Sequence, residues 1–432
     1  MSAGPAEHAA ALTSSAVDLH AGGIDTGAVV RALLARAAAG QATAIGFPGA
    51  VDIDYGPVLP LFGRLFNNVG DPNTDPGGTA HTKSLERAVV DWCADLVALP
   101  AGDRWGYVTA GGTEGNLAAL HAALGRHPGA IVYHSRSAHY SISKIIDIIG
   151  APGVVVDVDD HGEMDYGHLA ALVRRRHHRP AIVVATAGTT MTEAVDRPDR
   201  IEAVLLELGV DRRHVHVDGA LAGLPLALDG AITLDGGGAD SLAVSGHKFL
   251  GTPIPCGVVL MRDSIRREGR HIAYTSTLDT TVSGSRCGQA AALLWYAIAG
   301  YGTDGHRARA ARARDVAGYA VDRLTEIGWP AWRHPHAFTV VLATPPAEVT
   351  RKWLLATEGH WSHVVCVPGV TRGQVDALAA DLRAVTRAGA GVPAPRRPAR
   401  TGGGAAARSR LVDLPAAHPV AAIHPAPAIH RP

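Results

Sequence analysis

The stretch Val244-Ser245-Gly246-His247-Lys248-Phe249-Leu250-Gly251 decides how this chain is read. A lysine among small and apolar residues sits where desolvation lowers an ammonium pKa and leaves a nucleophilic amine. Such an amine can hold an aldehyde cofactor. The same residues also suit a surface lysine at a turn, so the rest of the chain must choose between the two.

Working outward, apolar and β-branched runs alternate with helical ones. Strands are predicted at 105–109, 130–134, 153–158, 181–185, 215–218 and 241–245, and another follows the turn at Thr252 to end at Leu260. Helical spacing marks 85–96, a segment from Leu117, 140–149, 166–176, 200–208, 290–299 and 307–327. This alternation implies an α/β fold with a mostly parallel sheet covered on both faces, and in such sheets ligands sit at the carboxyl ends of the strands. The residues 329–343 read as strand, and 351–357, 363–367 and 374–385 complete a small α+β domain.

Pyridoxal 5'-phosphate asks a protein for an amine, an acid partner for its ring nitrogen, a phosphate cradle and groups that cover the ring. Each has a candidate near a predicted strand end. Lys248 supplies the amine. Asp218, in His216-Val217-Asp218-Gly219-Ala220, supplies a carboxylate that keeps the pyridine nitrogen protonated, and Ala220 is small enough to lie under the ring. His139 is placed to stack on the other face, although a partly buried loop histidine would read the same way. Gly111, Gly112 and Thr113 open a helix whose first-turn N–H groups suit a phosphate, with Ser245 and His247 beside the lysine as further donors. A turn that only caps the helix would look alike.

A rival reading takes His214, His216 and Asp218, which alternate along one strand and so share a face, as a metal site for a hydrolase. It leaves Lys248 and the glycine turn unexplained, and no metal is expected.

Lysine plus arginine and aspartate plus glutamate both number 40 in 432 residues, so nothing draws the chain to nucleic acid or to an anionic membrane. No apolar run approaches the roughly 18 residues of a membrane span, and no basic leader precedes an apolar core. The four cysteines fit neither a zinc spacing nor a disulfide framework, which points to reduced thiols in the cytoplasm. Expected divisions are an arm over 1–45, a large cofactor-binding domain over 46–300, a small domain over 301–388 and a disordered tail rich in proline, alanine and arginine over 389–432.

From about Gly46 to Val385 the chain resembles the pyridoxal-phosphate-dependent amino-acid decarboxylases, most closely bacterial histidine decarboxylases and their plant serine decarboxylase relatives. The resemblance is carried, in one order, by Asn67-Asn68-Val69-Gly70-Asp71-Pro72, Gly111-Gly112-Thr113-Glu114-Gly115-Asn116, His139-Tyr140-Ser141, Ala187-Gly188-Thr189-Thr190, Asp218-Gly219-Ala220, Ser245-Gly246-His247-Lys248, Pro255-Cys256-Gly257 and Ser283-Gly284-Ser285-Arg286. It implies the aspartate aminotransferase-like fold (fold type I), with a mostly parallel sheet of the seven-stranded type and a homodimer with sites at its interface. It also implies that Lys248 is the Schiff-base lysine, Asp218 the ring-nitrogen partner, His139 the stacking, substrate-facing histidine and Thr190 a neighbour of the ring hydroxyl. The activity implied is loss of carbon dioxide from an L-amino acid, histidine first and serine (to ethanolamine) as the alternative. A fold-related transaminase or lyase stays open.

The chain departs from the family pattern in having Ala110 where Asn is usual, Cys287-Gly288-Gln289 where Asn-Gly-His is usual, and Gly77-Gly78 where Asn-Tyr is usual. Ala110 and the glycine pair lie where side chains could reach the substrate, so its identity is expected to turn on them.

Overall fold

A computed structural model describes residues 18–387 apart from 21, 22, 76 and 79. Residues 1–17, 21 and 22 of the expected arm and the whole expected tail lie outside the described residues. The part of the arm within them forms helix α1 (Thr26–Gln41), capped by the Asp25 carboxylate, which accepts from the Ala28 N–H at 2.9 Å.

Seven strands form the main sheet: β1 (Trp105–Thr109), β2 (Ile131–Ser135), β3 (Gly153–Val156), β4 (Ala181–Thr186), β5 (Arg213–Asp218), β6 (Ser241–Ser245) and β7 (Gly257–Met261). Their order is β1-β7-β6-β5-β4-β2-β3, with β7 antiparallel to both neighbours and every other pairing parallel. The β4 sequence explains why the sheet is covered twice. Its successive side chains point to opposite faces, and all are apolar or small. Ala181, Val183 and Ala185 join the main core, while Ile182 and Val184 pack in a second core with Leu120, Ile142 and Ile145.

That second core is built by α3 (Gly112–Arg126) and α4 (Ser141–Ile148). On the main-core side lie α2 (Lys83–Leu96), α5 (Tyr166–Arg174), α6 (Pro198–Glu207) and the short α7 (Gly223–Leu228). The hairpin β8 (Arg270–Ile272) and β9 (Thr277–Asp279), too short to carry a periodic signal, follows β7. The two expected helices after Arg286 are present, joined within the span α8 (Gly288–Glu326) by a kink where Gly302 leaves helical dihedrals at φ 61°, ψ 178°.

A second, antiparallel sheet has the order β10-β11-β13-β12, from β10 (Ala331–Trp332), β11 (Thr339–Ala343), β12 (Ala356–Glu358) and β13 (Trp361–Val365). Helices α9 (Ala347–Trp353) and α10 (Arg372–Arg387) cover it, and Val340, Leu342, Val364, Trp329 and Leu382 fill its core. The strand expected over 329–343 is therefore two strands. Pro335 lacks an N–H for a ladder and restricts the residue before it, so the chain turns there and β10 folds back on β11.

Two of the sequence motifs meet in a buried polar knot. Glu86 of α2, fully buried, accepts from the Val108 N–H at 2.9 Å, from Asn68 Nδ2 at 2.9 Å and from the Arg286 guanidinium. Arg286 also donates to the Gly70 carbonyl at 2.8 Å, and its guanidinium lies 5.2 Å from the centre of the Tyr107 ring. Removing one partner of a buried ion pair strands the other charge, at a cost of about 3–5 kcal/mol. Arg286→Ala is expected to lower unfolding stability by about that amount in urea titration, whereas a surface arginine such as Arg197 changed to alanine should lose less than about 1 kcal/mol.

Candidate active site

The carboxyl ends of β1, β2, β4, β5 and β6 share one edge of the sheet, and every candidate residue lies within a few positions of one of them. The first residue of β7 draws two of these ends together: Gly257 pairs with Thr109 of β1 on one side and with Ser245 of β6 on the other. A Cβ at 257 would lie 2.4 Å from the Val244 carbonyl oxygen and 3.1 Å from the Gly111 carbonyl carbon, so only glycine lets these backbones approach.

At the start of α3, Gly111 has φ 145° and ψ 178° and offers no side-chain cap, leaving first-turn N–H groups without an intrahelical partner. A Cβ on Gly112 would meet Ser245 Oγ at 2.7 Å and Ala220 Cβ at 3.1 Å, and one on Gly111 would come 3.9 Å from His247 Cε1. The helix N-terminus, a hydroxyl and an imidazole thus converge on one spot. Thr113, exposed, lies on the first turn of the same helix. His247 itself is held by a 3.2 Å contact from Nδ1 to the Cys256 carbonyl.

Asp218 ends β5 between Thr186 of β4 and Ala243 of β6 and is 3% exposed. One carboxylate oxygen accepts from the Ala220 N–H at 3.2 Å, and the other takes no hydrogen bond among the described residues. A buried carboxylate this poorly satisfied calls for a cationic or N–H partner. Lys248, three residues beyond β6, has its ammonium pKa lowered by burial, against which the charges of Asp218 and Glu193 act. Burial and the nearby Lys248 charge also lower His139, with Asp218 opposing, so the imidazole is neutral near pH 7. Its Nδ1 accepts from the Ser141 N–H at 3.3 Å and lies 2.8 Å from Ser141 Oγ, which puts the ring proton on Nε2. Thr190, exposed, sits in the loop that follows β4.

The rival constellation is taken up by the core. His214 Nε2 and His216 Nδ1 each lie 2.8 Å from Ser241 Oγ, and His216 Nε2 lies 2.9 Å from Asn116 Oδ1. Burial pushes these two imidazoles down to about 4 and about 3, respectively, so both stay neutral and structural. Glu193, a buried glutamate in the loop after β4, had no sequence signal: its place near Lys248 depends on how that loop folds.

Residues 79–328, more than half of the chain, match the pyridoxal-dependent decarboxylase conserved domain. The chain belongs to that family. It is similar to the histidine decarboxylase of Mesorhizobium japonicum, with 41% identity over 77% of this chain and 91% of the relative. It is also similar to that of Acinetobacter baumannii, with 36% identity over 74% and 85%. Among solved structures, the L-methionine decarboxylase of Streptomyces sp. 590 superposes with a TM-score of 0.78 at 25% identity, over 86% of this chain and 98% of that one. Pyridoxal phosphate is accordingly the cofactor of this decarboxylase, and the site fits it: an anion-binding helix N-terminus, an under-satisfied buried carboxylate and a lysine open one edge of the sheet together.

The decarboxylase's Gly112 provides a direct check on the cradle. Gly112→Ala should weaken pyridoxal phosphate binding at least tenfold, about 1.4 kcal/mol, in equilibrium dialysis, because the added carbon meets the Ser245 hydroxyl while the helix itself tolerates alanine.

Proposed function

We propose that this enzyme converts L-histidine to histamine and carbon dioxide. The observation that carries the reading is Lys248 at the carboxyl edge of the sheet with Asp218 beside it, in a chain 41% identical to a histidine decarboxylase across nine-tenths of that relative. Serine, giving ethanolamine, is the second substrate to test.

Bound pyridoxal phosphate supplies an electron sink for the pair released when the bond from Cα to the carboxylate breaks. The residues divide the remaining work. The first turn of α3, with Ser245 and His247, binds the phosphate. Asp218 would accept a hydrogen bond from the ring N–H and so favour the cationic ring, and Ala220 and Thr190 would be among the residues that hold the ring. Lys248 Nζ, its basicity reduced by burial, keeps a population of free amine that can form and re-form the bond to the cofactor. His139 covers the exposed face and presents Nε2–H to the substrate. Selection of the carboxylate bond over the Cα–H bond would be a matter of how His139 and its neighbours orient the substrate.

The departure at Ala110 bears on selectivity. Ala110 is exposed at the end of β1, its N–H donated to Glu114 at 2.7 Å, and its methyl group brings no hydrogen-bonding atom to a substrate. A site that has lost a partner for a polar side chain discriminates less well, and such partners can be worth roughly 10⁴ in specificity. We therefore expect histidine to be preferred over serine, leucine and methionine, by a margin smaller than that.

We also propose a cytoplasmic homodimer. Its four cysteines are unpaired, and no helix among the described residues is long and apolar enough to cross a membrane. The apolar 3₁₀ segment Gly56–Gly63 buries none of its residues, and nearby Phe47 and Leu65 are exposed as well, a surface that a second copy would cover.

Incubation of the loaded enzyme with each of the twenty common amino acids, scoring carbon dioxide and the amine, tests the substrate; turnover of another amino acid in preference to histidine would overturn it. Lys248→Ala should abolish both turnover and the visible absorbance of the lysine-bound cofactor while the far-UV circular dichroism stays unchanged. Asp218→Asn should retain cofactor and lose at least about 100-fold in kcat, a loss of the size seen when a group stabilising developing charge is removed; an unchanged rate would take Asp218 out of that role.

A further inference from the structure

The three carbonyls that open the lysine loop are each held from outside it. The Lys248 carbonyl accepts from the Ala50 N–H at 2.9 Å, the Phe249 carbonyl from the Arg309 guanidinium at 3.2 Å and the Leu250 carbonyl from the Tyr55 hydroxyl at 2.8 Å. Arg309 lies on α8 beyond the kink at Gly302 and is 1% exposed. Its Nε and Nη2 donate to the two Asp52 carboxylate oxygens at 2.8 and 2.5 Å, and its Nη1 donates to His306 Nδ1 at 2.9 Å. His306 Nε2 is turned to the Ala297 carbonyl at 3.1 Å, which leaves Nδ1 as the acceptor. A planar fork of donors can serve a carboxylate, an imidazole and a carbonyl together, and an ammonium cannot reproduce it. The segment that carries Ala50, Asp52 and Tyr55 is fastened in turn to the small sheet: the Ile45 carbonyl accepts from the Val365 N–H at 2.7 Å, and the Val51 N–H donates to the Pro368 carbonyl at 3.1 Å. Gly251 closes the loop against the same segment, with φ 65° and room for no Cβ, which would lie 2.2 Å from the Ala50 carbonyl oxygen.

Resting on the assignment of Lys248 as the cofactor lysine, we propose that Arg309 and Tyr55 are positioning residues for it: by holding the Phe249 and Leu250 carbonyls they fix the root from which Nζ reaches the cofactor aldehyde, and Asp52 keeps the Arg309 fork in place. The bond at issue forms when the neutral amine adds to the aldehyde carbon and water leaves. Its equilibrium depends on how much of the chain must be ordered to bring Nζ to that carbon, and a loop already held by its carbonyls has less to lose. The phosphate cradle is anchored elsewhere, on the first turn of α3, on Ser245 within β6 and on the Cys256 carbonyl that holds His247. Loosening the loop therefore weakens the lysine bond and spares the cradle. A buried ion pair that only fastened α8 to the 45–55 segment would instead act on the whole fold.

The test compares two ligands, pyridoxal phosphate and pyridoxine 5'-phosphate, which has the same ring and phosphate but a hydroxymethyl group where the aldehyde stands and cannot bond to a lysine. Their dissociation constants are measured by equilibrium dialysis for wild type, Tyr55→Phe and Arg309→Met. Affinity for pyridoxal phosphate is expected to fall about threefold to tenfold in Tyr55→Phe and at least about tenfold in Arg309→Met, the worth of a neutral and of a charge-assisted hydrogen bond, while affinity for the alcohol changes by less than about twofold. Gly112→Ala, a change in the cradle, should weaken both ligands alike. Equal losses for the two ligands, or no loss for either, in either variant that folds overturns the proposal and leaves the contacts a role in stability alone. If Arg309→Met fails to fold, Tyr55→Phe decides by the same criterion, since it removes one hydroxyl and keeps the ring. The wild-type preference for the aldehyde over the alcohol should vanish in Lys248→Ala; a preference that survives there overturns the assignment of the lysine, and the Arg309 and Tyr55 proposal with it.

Discussion

The site depends on the register of one antiparallel strand. β7 enters the main sheet against the direction of its neighbours, so its first residue lies where β1 and β6 end, and Gly257 stands between Thr109 and Ser245. A slip of one residue would turn every β7 side chain to the opposite face and put a Cβ where the Val244 and Gly111 backbones close in. The glycine turn and the lysine loop, far apart in sequence, are neighbours because that register holds. The motif Pro255-Cys256-Gly257 is thus a geometric requirement of the site, although none of its atoms need touch a reactant.

How far the sequence could be read follows from the range of the interactions concerned. Strands buried on both faces announce themselves as apolar β-branched runs, so β2, β4, β5 and β6 were visible, and with them the edge of the sheet on which Lys248, Asp218 and His139 lie. The β8–β9 hairpin and the division of residues 329–343 into two strands leave no periodic signal, since two- and three-residue strands are too short to carry one. Glu193 was missed for a different reason. Its donors, the Phe338 and Thr339 N–H groups and the Thr339 hydroxyl, lie more than a hundred residues away, and nothing in the sequence marks that pairing.

Conspicuous polar residues are an imperfect guide to chemistry in this chain. Asn67 to Asp71 and Ser283 to Arg286 are as distinctive as the lysine motif, yet Glu86, Asn68 and Arg286 spend their hydrogen-bonding capacity on each other and on the Gly70 and Val108 backbones. They fix two loops with respect to β1. His214 and His216, which share a face as metal ligands would, saturate themselves on Ser241 and Asn116. Asp218 differs from Glu86 in that only one of its carboxylate oxygens takes a hydrogen bond among the described residues, whereas both oxygens of Glu86 are used.

Asp218 and Lys248 also differ in how firmly they are held, and the difference fits the roles proposed for them. Asp218 closes β5 with strands paired on both sides, so its carboxylate is fixed by two ladders. That would suit its proposed role as partner of the ring nitrogen. Lys248 lies beyond the end of β6, where its carbonyl accepts from the Ala50 N–H at 2.9 Å and the Gly251 N–H at 3.2 Å, while no hydrogen bond holds its Nζ among the described residues. The backbone is tethered, and the amine has no hydrogen-bond partner among the described residues. In its proposed role as the cofactor-holding lysine, Lys248 would need a fixed root and an uncommitted amine, which a loop anchored at both ends provides.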